Sequence, residues 1–223
     1  MIRRRVKGCD AINCVEVIDG VHIWRAALDE EGWPGPEELP PEDRERAASF
    51  LREGPARRWI AARWALRRTL ARYLDRPAAE IALTPDEHGK PRLRDGGDGG
   101  LQFNLSHSAG LALVAVTEGR AVGIDVEAIA PRRDLVALAE RGLPAEEAAA
   151  VRAAAPERRT EAFYAAWVRH EARLKCLGIG LGSPAPPTAI AVAPVDAAPG
   201  NAAAVAVLGS DIGPLHCQTL RAG

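Results

Sequence analysis

The stretch AVGIDVEAI, residues 121–129, carries the alternation that decides the fold of this part of the chain. Successive side chains of a β-strand point to opposite faces, so one face of the predicted strand is apolar. The apolar residues on that face are Val122, Ile124 and Val126. The other face holds Gly123, Asp125 and Glu127, which places two carboxylates about 6.6 Å apart by the rise of a strand.

Two interpretations of this polar face are open. One is a strand whose outer face is exposed to solvent. The other is a cation site, because Mg²⁺ takes one or two carboxylates and completes its coordination with water and substrate phosphate. Gly123 beside the two carboxylates is interpreted as leaving room for a bulky, hydrated ligand.

A helix is predicted over residues 157–177, and its spacing places Glu171 and Lys175 on the apolar stripe that carries Trp167. A Glu–Lys pair four residues apart is commonly a surface pair worth about 0.2–0.5 kcal/mol. On an apolar stripe, however, a charge without a partner is costly. A metal ion or an anionic ligand would resolve this conflict, with Glu171 as a third carboxylate and Lys175 facing a phosphate.

A second amphipathic helix is predicted over residues 57–74, with Arg63 inside its apolar arc and Arg67 at the edge of that arc. An arginine among core residues needs an anion, which is either a buried carboxylate or a bound phosphate. Residues 41–72 contain nine arginines and four acidic residues, so this segment is basic.

The hexapeptide FNLSHS, residues 103–108, is predicted to end a strand (101–105) in a polar turn. The side chains of Ser106 and His107 diverge because the residues are adjacent, and no Gly-x-Ser-x-Gly surrounds the serine, which argues against a hydrolase nucleophile. A hydroxyl, an imidazole and turn amides do suit phosphate oxygens. Lys90, in a second turn, offers a flexible point charge for the same purpose.

Composition excludes several classes of protein. The 223 residues carry 29 basic and 30 acidic side chains, and 47% are hydrophobic, which excludes a mainly disordered chain and gives no basic excess for nucleic acid. Only three of the basic residues are lysines. The four cysteines form no CxxC pair, and no apolar run approaches about 18 residues, so we expect a cytoplasmic protein with reduced thiols and no membrane span.

The order of the predicted elements indicates two similar α+β halves. Further strands are predicted at 21–28, 111–117, 188–193, 202–208 and 215–220. We predict an N-terminal extension at residues 1–20, an N-terminal half at 21–119 and a C-terminal half at 120–223.

Four motifs occur in one order along the chain: GKP at 89–91, FNLSHS at 103–108, GIDVE at 123–127 and WVRHEARLK at 167–175. Together they resemble the 4′-phosphopantetheinyl transferases of the surfactin-synthetase-activating (Sfp-like) type. The resemblance implies a pseudo-symmetric monomer with its active site between two α+β halves. It also implies transfer of the phosphopantetheine arm of coenzyme A to a serine of an acyl- or peptidyl-carrier protein, with release of adenosine 3′,5′-bisphosphate.

The resemblance implies roles for individual residues. The Mg²⁺ ligands it implies are Asp125, Glu127 and Glu171. Glu171 is also the implied base for the carrier serine, and Lys175 the catalytic lysine near the diphosphate. The implied contacts to coenzyme A phosphates are Lys90, Ser106 and His107, with Arg58 at the 3′-phosphate and Arg46 in the same group. Because carrier proteins of this family are usually acidic, the basic segment 41–72 is a candidate docking surface.

The chain departs from the family pattern at His170, where a lysine is usual, and this predicts a weaker or pH-dependent phosphate contact. The recognisable resemblance starts near residue 21, and the chain stops at Gly223, earlier than relatives usually do. Two alternatives stay open: a Mg²⁺-dependent hydrolase of coenzyme A or nucleotide diphosphates, and an inactive relative that binds coenzyme A or a carrier. Sequence does not indicate which carrier is used.

Overall fold

A computed structural model describes residues 18–94, 100–132, 134–180 and 188–223, so most of the predicted extension 1–20 lies outside the described residues. The strands are Val21–Ala27 (β1), Leu83–Pro85 (β2), Pro91–Leu93 (β3), Leu101–Ser108 (β4), Leu111–Glu118 (β5), Val122–Ala128 (β6), Ile190–Pro194 (β7), Asn201–Leu208 (β8) and Leu215–Leu220 (β9). The α-helices are Pro41–Ala48 (α1), Glu53–Leu74 (α2), Leu135–Gly142 (α3), Ala145–Ala153 (α4) and Arg159–Leu177 (α5).

The two larger β-sheets of the described residues lie face to face, and one long helix covers the outer side of each. Strands β2 and β3 form a separate two-stranded sheet. The first sheet has the strand order β4-β5-β1-β9 and packs against α2 through Trp24, Val114 and Leu66. The second sheet has the order β6-β8-β7 and packs against α5, where Ala172 meets Ala204. This arrangement confirms the predicted α+β fold of two halves.

The apolar layer between the two sheets contains the side chains that the alternation in residues 121–129 predicted to be buried. These are Val122, Ile124 and Val126, each 0–1% exposed. They pack against Ile23 and Leu113 of the first sheet. Burial of side chains of this size contributes about 1.5–3 kcal/mol each, so this layer joins the halves firmly.

The last strand belongs to the first sheet. A strand at 215–220 was predicted and is confirmed, but β9 pairs in parallel with β1, with His216 opposite His22. Sequence placed this segment within the C-terminal half, 120–223. A short apolar alternation specifies a strand but not its partner, so the sheet that β9 joins could not be read from it. The proposed boundary at 119/120 stays a prediction.

The structure shows which anion lies beside the two arginines on the apolar side of helix α2, for which a buried carboxylate and a bound phosphate were both open. Asp43, from α1, lies between them: its carboxylate is 3.0 Å from Arg63 Nη2 and 2.6 Å from Arg67 Nη1. The Arg67 side chain is fully buried, and this desolvation lowers its pKa, which the nearby Asp43 opposes. The anion is therefore a buried carboxylate, and the arginines form a structural ion pair. The helix begins at Glu53, earlier than predicted, and ends before Asp75, which is left-handed with a φ of 50°.

Strand β4 runs on to Ser108, so the prediction that residues 106–108 form a turn was wrong. Ser106 and Ser108 pair with Leu113 and Leu111 of β5, and only Ala109 and Gly110 form the hairpin turn. The polar side chains stay in the strand because the neighbouring edge of β6 satisfies them. Among the described residues, no helix is both long and apolar enough to cross a membrane.

Candidate active site

Helix α5 lies unusually close to β6 at Gly123. A Cβ atom built on this residue would overlap the carbonyl oxygen of Ala172 and the amide nitrogen of Cys176. The space beside the two carboxylates is therefore filled by the helix backbone, and the interpretation that Gly123 leaves room for a hydrated ligand was wrong. The close approach brings Glu171 and Lys175 of α5 next to Asp125 of β6.

Asp125, Lys175 and Ser106 form one hydrogen-bonded group contributed by three elements. Lys175 Nζ lies 2.6 Å from Asp125 Oδ1 and donates to Ser106 Oγ at 3.0 Å. Ser106 Oγ in turn donates to Asp125 Oδ1 at 2.9 Å. Asp125 is only 3% exposed, so the ammonium of Lys175 compensates a buried negative charge. For Lys175, the conflict predicted for a charge on the apolar stripe of α5 is resolved here by Asp125 of β6.

Two carboxylate oxygens at this site are buried and have no hydrogen-bond partner among the described residues. They are Asp125 Oδ2 and Glu171 Oε1. Burial raises the pKa of Glu171, and the neighbouring charges of Asp125 and Glu127 raise it further, while Lys175 lowers it. Buried carboxylate oxygens normally have partners, so both atoms are candidates for contact with a cation or a donor that is not part of the chain.

The three predicted metal ligands do not form a preformed cage. Within the described ranges, no group of three or more His, Cys, Asp or Glu side chains is arranged to hold a metal ion. The Lys175 ammonium lies against Asp125 Oδ1 and occupies one side of the carboxylate group. The two unpartnered oxygens nevertheless suit Mg²⁺, which needs only one or two carboxylates from the protein.

The open edges of β4 and β6 meet through side chains, and we call this contact the edge seam. Its acceptors are the side-chain oxygens of Asn104, Ser106 and Ser108, and its donors are the backbone N–H groups of Ile124, Val126 and Ala128, at 2.8, 3.3 and 3.1 Å. Ser108 Oγ also donates to Glu127 Oε2 at 3.0 Å.

Sequence reasoning missed the roles of Asn104 and Ser108. The signal that would have found them is the period of two in FNLSHS, which puts three polar side chains on one face of a strand.

A cavity of about 620 Å³ opens beside the Asp125–Lys175 pair. Ser106, His107 and Lys175 line it, as do Arg46 and Arg63 from the α1–α2 region. Its volume is typical of small-molecule sites. Burial lowers the pKa of His107, and the Lys175 charge lowers it further. A larger cavity of about 770 Å³ lies elsewhere, between the loop 28–36 and the helices α1 and α2, and has no described residue in common with this one.

Two of the residues predicted to contact phosphate, Arg58 and Lys90, have protein partners in the structure. Arg58 forms a two-pronged ion pair with Asp29, with both distances 2.8 Å, and does not line the cavity. Lys90 Nζ donates to the carbonyl oxygens of Val122 and Lys175, each at 2.9 Å. Lys90 thereby ties the C-terminal end of α5 to β6.

Desolvation lowers the pKa of Lys90 from its ordinary value of 10.5 to about 8. Between pH 8 and pH 10.5 the unfolded chain therefore binds more protons than the folded chain. The free energy of unfolding should then increase as the pH rises through this range, by at most about 1.4 kcal/mol per pH unit. We expect this increase to be absent in Lys90→Met. Urea unfolding of both proteins at pH 7.5 and 9.5 measures the difference, and equal pH dependence in the two would contradict the lowered pKa of Lys90.

His170 faces a different environment from the lysine usual at this position. Desolvation lowers its pKa, Arg173 lowers it further, and Glu147 opposes both. A lowered pKa favours the neutral imidazole at neutral pH, so this side chain does not supply the positive charge that a lysine would.

Comparison with known proteins agrees with the geometry of the site. Residues 33–119 match the family model described as 4′-phosphopantetheinyl transferase, N-terminal, and residues 121–216 match that of the 4′-phosphopantetheinyl transferase superfamily. The chain belongs to this superfamily. The predicted family and the predicted reaction class, that of a phosphopantetheinyl transferase, are thus confirmed.

Several curated phosphopantetheinyl transferases are similar to the chain. The 4′-phosphopantetheinyl transferase HetI of Nostoc sp. is 35% identical over 178 residues, which cover 76% of this chain and 73% of HetI. Sfp of Bacillus subtilis is 28% identical over 167 residues, 75% of this chain and 72% of Sfp. AcpT of Escherichia coli K12 is 39% identical over 142 residues, 63% of this chain and 66% of AcpT.

Proposed function

We propose that the chain transfers the 4′-phosphopantetheine group of coenzyme A to a serine of an apo acyl- or peptidyl-carrier protein and releases adenosine 3′,5′-bisphosphate. The observation that carries this proposal is the Asp125–Ser106–Lys175 group at the wall of a cavity that also presents Arg46 and His107. A diphosphate substrate needs cations and donors held in place before reaction, and this group supplies them.

The reaction forms a bond between the carrier serine oxygen and the β-phosphorus of coenzyme A and breaks the bond from that phosphorus to the leaving bisphosphate. The serine proton must be accepted as the bond forms. Glu171 is the proposed base, and its raised pKa brings its proton affinity closer to neutrality, where a base is most effective. Lys175 is placed to stabilise the charge that develops on the phosphate oxygens. Because the carrier brings the nucleophile, the site needs no serine or cysteine of its own.

Magnesium is the proposed metal ion. Asp125 and Glu171 would hold it through their unpartnered oxygens, and Glu127 completes a donor set made only of carboxylate oxygens, which suits this cation. When bound, Mg²⁺ neutralises charge on the diphosphate.

Contacts to the substrates follow from the lining of the cavity. The proposed contacts for coenzyme A phosphates are cavity-lining residues, namely Arg46, Ser106, His107 and Lys175. Arg58 and Lys90 have protein partners in the structure, and their contacts to coenzyme A stay predictions. The basic segment 41–72 is the proposed docking surface for an acidic carrier. We propose a monomer, since both halves of a single chain contribute to this site. The cytoplasmic location stays a prediction from the sequence.

The test is incubation of the chain with coenzyme A, Mg²⁺ and a panel of apo-carriers, followed by intact mass measurement. We expect a carrier to gain the phosphopantetheine mass, and omission of Mg²⁺ to abolish the gain. Cleavage of coenzyme A without carrier modification would instead support the hydrolase, and no change in either would support an inactive relative. Arg152→Ala, which removes an exposed ion pair with Glu140 on the surface, serves as a control and should react like the unsubstituted chain.

A further inference from the structure

We propose that Ser108 is a positioning residue that fixes the Glu127 carboxylate while it holds the edge of β6. The proposal rests on the proposed function, because it treats Glu127 as part of the transfer site. Ser108 ends β4, and Glu127 and Ala128 end β6, so the contact lies where both strands leave their sheets.

The hydrogen of the Ser108 hydroxyl is directed by its surroundings. A hydroxyl has one hydrogen to donate and two lone pairs to accept. The Ala128 N–H can only donate, so the Ser108 oxygen accepts from it at 3.1 Å. The single hydrogen is then available to Glu127 Oε2, 3.0 Å away. A carboxylate that accepts from an oriented donor is held in one position, and hydrogen bonds to ionised groups are stronger than neutral ones.

The same unit occurs one step earlier along both strands. Ser106 Oγ accepts from the N–H of Val126 and donates to Asp125. In the same way, Ser108 Oγ accepts from the N–H of Ala128 and donates to Glu127. In each unit a β4 hydroxyl bridges a β6 carboxylate and the backbone N–H of the next residue.

The third position of the edge seam has no carboxylate on β6 and no hydroxyl on β4. Asn104 accepts from the N–H of Ile124, and the residue before Ile124 is Gly123, which has no carboxylate. Here β4 carries an amide. Among the three seam positions, a hydroxyl that both accepts and donates therefore lies at the two where β6 offers a carboxylate, and the amide lies at the one where it does not.

Ser108 separates the positioning role from the rest of the site better than Ser106 does. Ser106 also accepts from Lys175, so its loss would disturb three groups at once. The side-chain hydrogen bonds of Ser108 in the described residues are to Glu127 and Ala128 alone. Strand β6 keeps its pairing with β8 when Ser108 is changed, since Glu127 and Ala128 lie opposite Ala202 and Asn201.

The experiment compares Ser108→Ala with Ser108→Thr, which keeps the hydroxyl and suits a strand. Binding of Mn²⁺, as a probe for Mg²⁺, is measured by electron paramagnetic resonance on protein saturated with coenzyme A and without carrier, and kcat and KM are measured with carrier. We expect the alanine variant to bind Mn²⁺ at least about 10-fold more weakly, as is typical for loss of a residue that orients a metal ligand. Its kcat should fall while the KM for coenzyme A stays within about 2-fold, and threonine should restore both.

Asn104→Ala is the matched control, because it removes a seam acceptor at the position that has no carboxylate. It should lower the unfolding midpoint at least as much as Ser108→Ala while the Mn²⁺ dissociation constant stays unchanged. Unaltered Mn²⁺ affinity and kcat in Ser108→Ala, or no Mn²⁺ binding by the unsubstituted chain, overturns the positioning role. Failure of the unsubstituted chain to modify any carrier, with Mn²⁺ affinity still lowered in Ser108→Ala, refutes the proposed function and leaves the positioning role standing.

Discussion

Gly123→Ala is expected to destabilise the chain by about 3 kcal/mol or more, because overpacking against atoms that cannot move away is costly. The added methyl group would overlap the Ala172 carbonyl oxygen and the Cys176 amide nitrogen, which are backbone atoms in the last two turns of α5. Neither can shift without moving this end of α5 away from β6. Urea denaturation of the purified protein, followed by circular dichroism, gives the free energy of unfolding for comparison.

Gly54→Ala is the matched control for this substitution. Gly54 lies in the first turn of α2, and no atom comes within 4 Å of the position its Cβ would take. Alanine there should leave stability unchanged or raise it by up to about 1 kcal/mol, since glycine is unfavourable inside a helix. Equal unfolding midpoints for Gly123→Ala and the unsubstituted chain would show that α5 does not pack on β6 as described.

The glycine shows where sequence reasoning stopped. The alternation in residues 121–129 predicted the strand, its apolar face and the face shared by Gly123, Asp125 and Glu127, because a period of two is a local property. It also identified a position without a side chain next to two carboxylates. What fills that space is decided by the packing of a helix some 50 residues later in the chain, and no local pattern contains that information.

Strand partners were unpredictable for the same reason. The pattern at 215–220 predicted a strand, yet pairing with β1 rather than with a strand of its own half depends on which edge is free in the folded chain. A turn was wrongly predicted at 106–108 because serine favours turns locally. In the structure the strand of these residues is held by pairing with β5 and, for the serines, by the edge of β6.

The site residues predicted from charge also depend on the fold for their partners. Charges on an apolar helix stripe, together with the resemblance to a known family, indicated Glu171 and Lys175, and the structure brings both to Asp125. Lys90 and Arg58 carried equally suggestive charges, but each found a partner within the protein. A lysine or arginine in a sequence shows that an anion or acceptor is needed, and only the fold decides whether the protein or a substrate provides it.

Asp125→Asn is expected to lower the rate of phosphopantetheine transfer by about 10³-fold or more. Asp125 compensates the Lys175 ammonium at 2.6 Å, accepts from Ser106, and keeps a second, unpartnered oxygen for a cation. An amide of the same shape keeps the volume and loses the charge, so the lysine and the metal ion both lose their anionic partner. Loss of one preorganised electrostatic contact costs 10²- to 10³-fold in comparable sites, and here two are lost together. Intact mass measurement of the carrier over time gives the rate.

The same substitution should leave the fold intact, which separates it from a merely structural change. The amide removes a buried carboxylate oxygen that has no partner, and the Lys175 side chain, which is 30% exposed, can be hydrated when it loses Asp125. We therefore expect a loss in the free energy of unfolding smaller than the about 3–5 kcal/mol that is typical when one partner of a fully buried ion pair is removed. Glu140→Gln on α3 removes one negative charge at an exposed ion pair and should keep its transfer rate within about 2-fold. Retention of more than a tenth of the rate by Asp125→Asn would show that this carboxylate is not at the centre of the reaction. A loss of rate accompanied by a large loss of stability would assign Asp125 to holding α5 and β6 together instead.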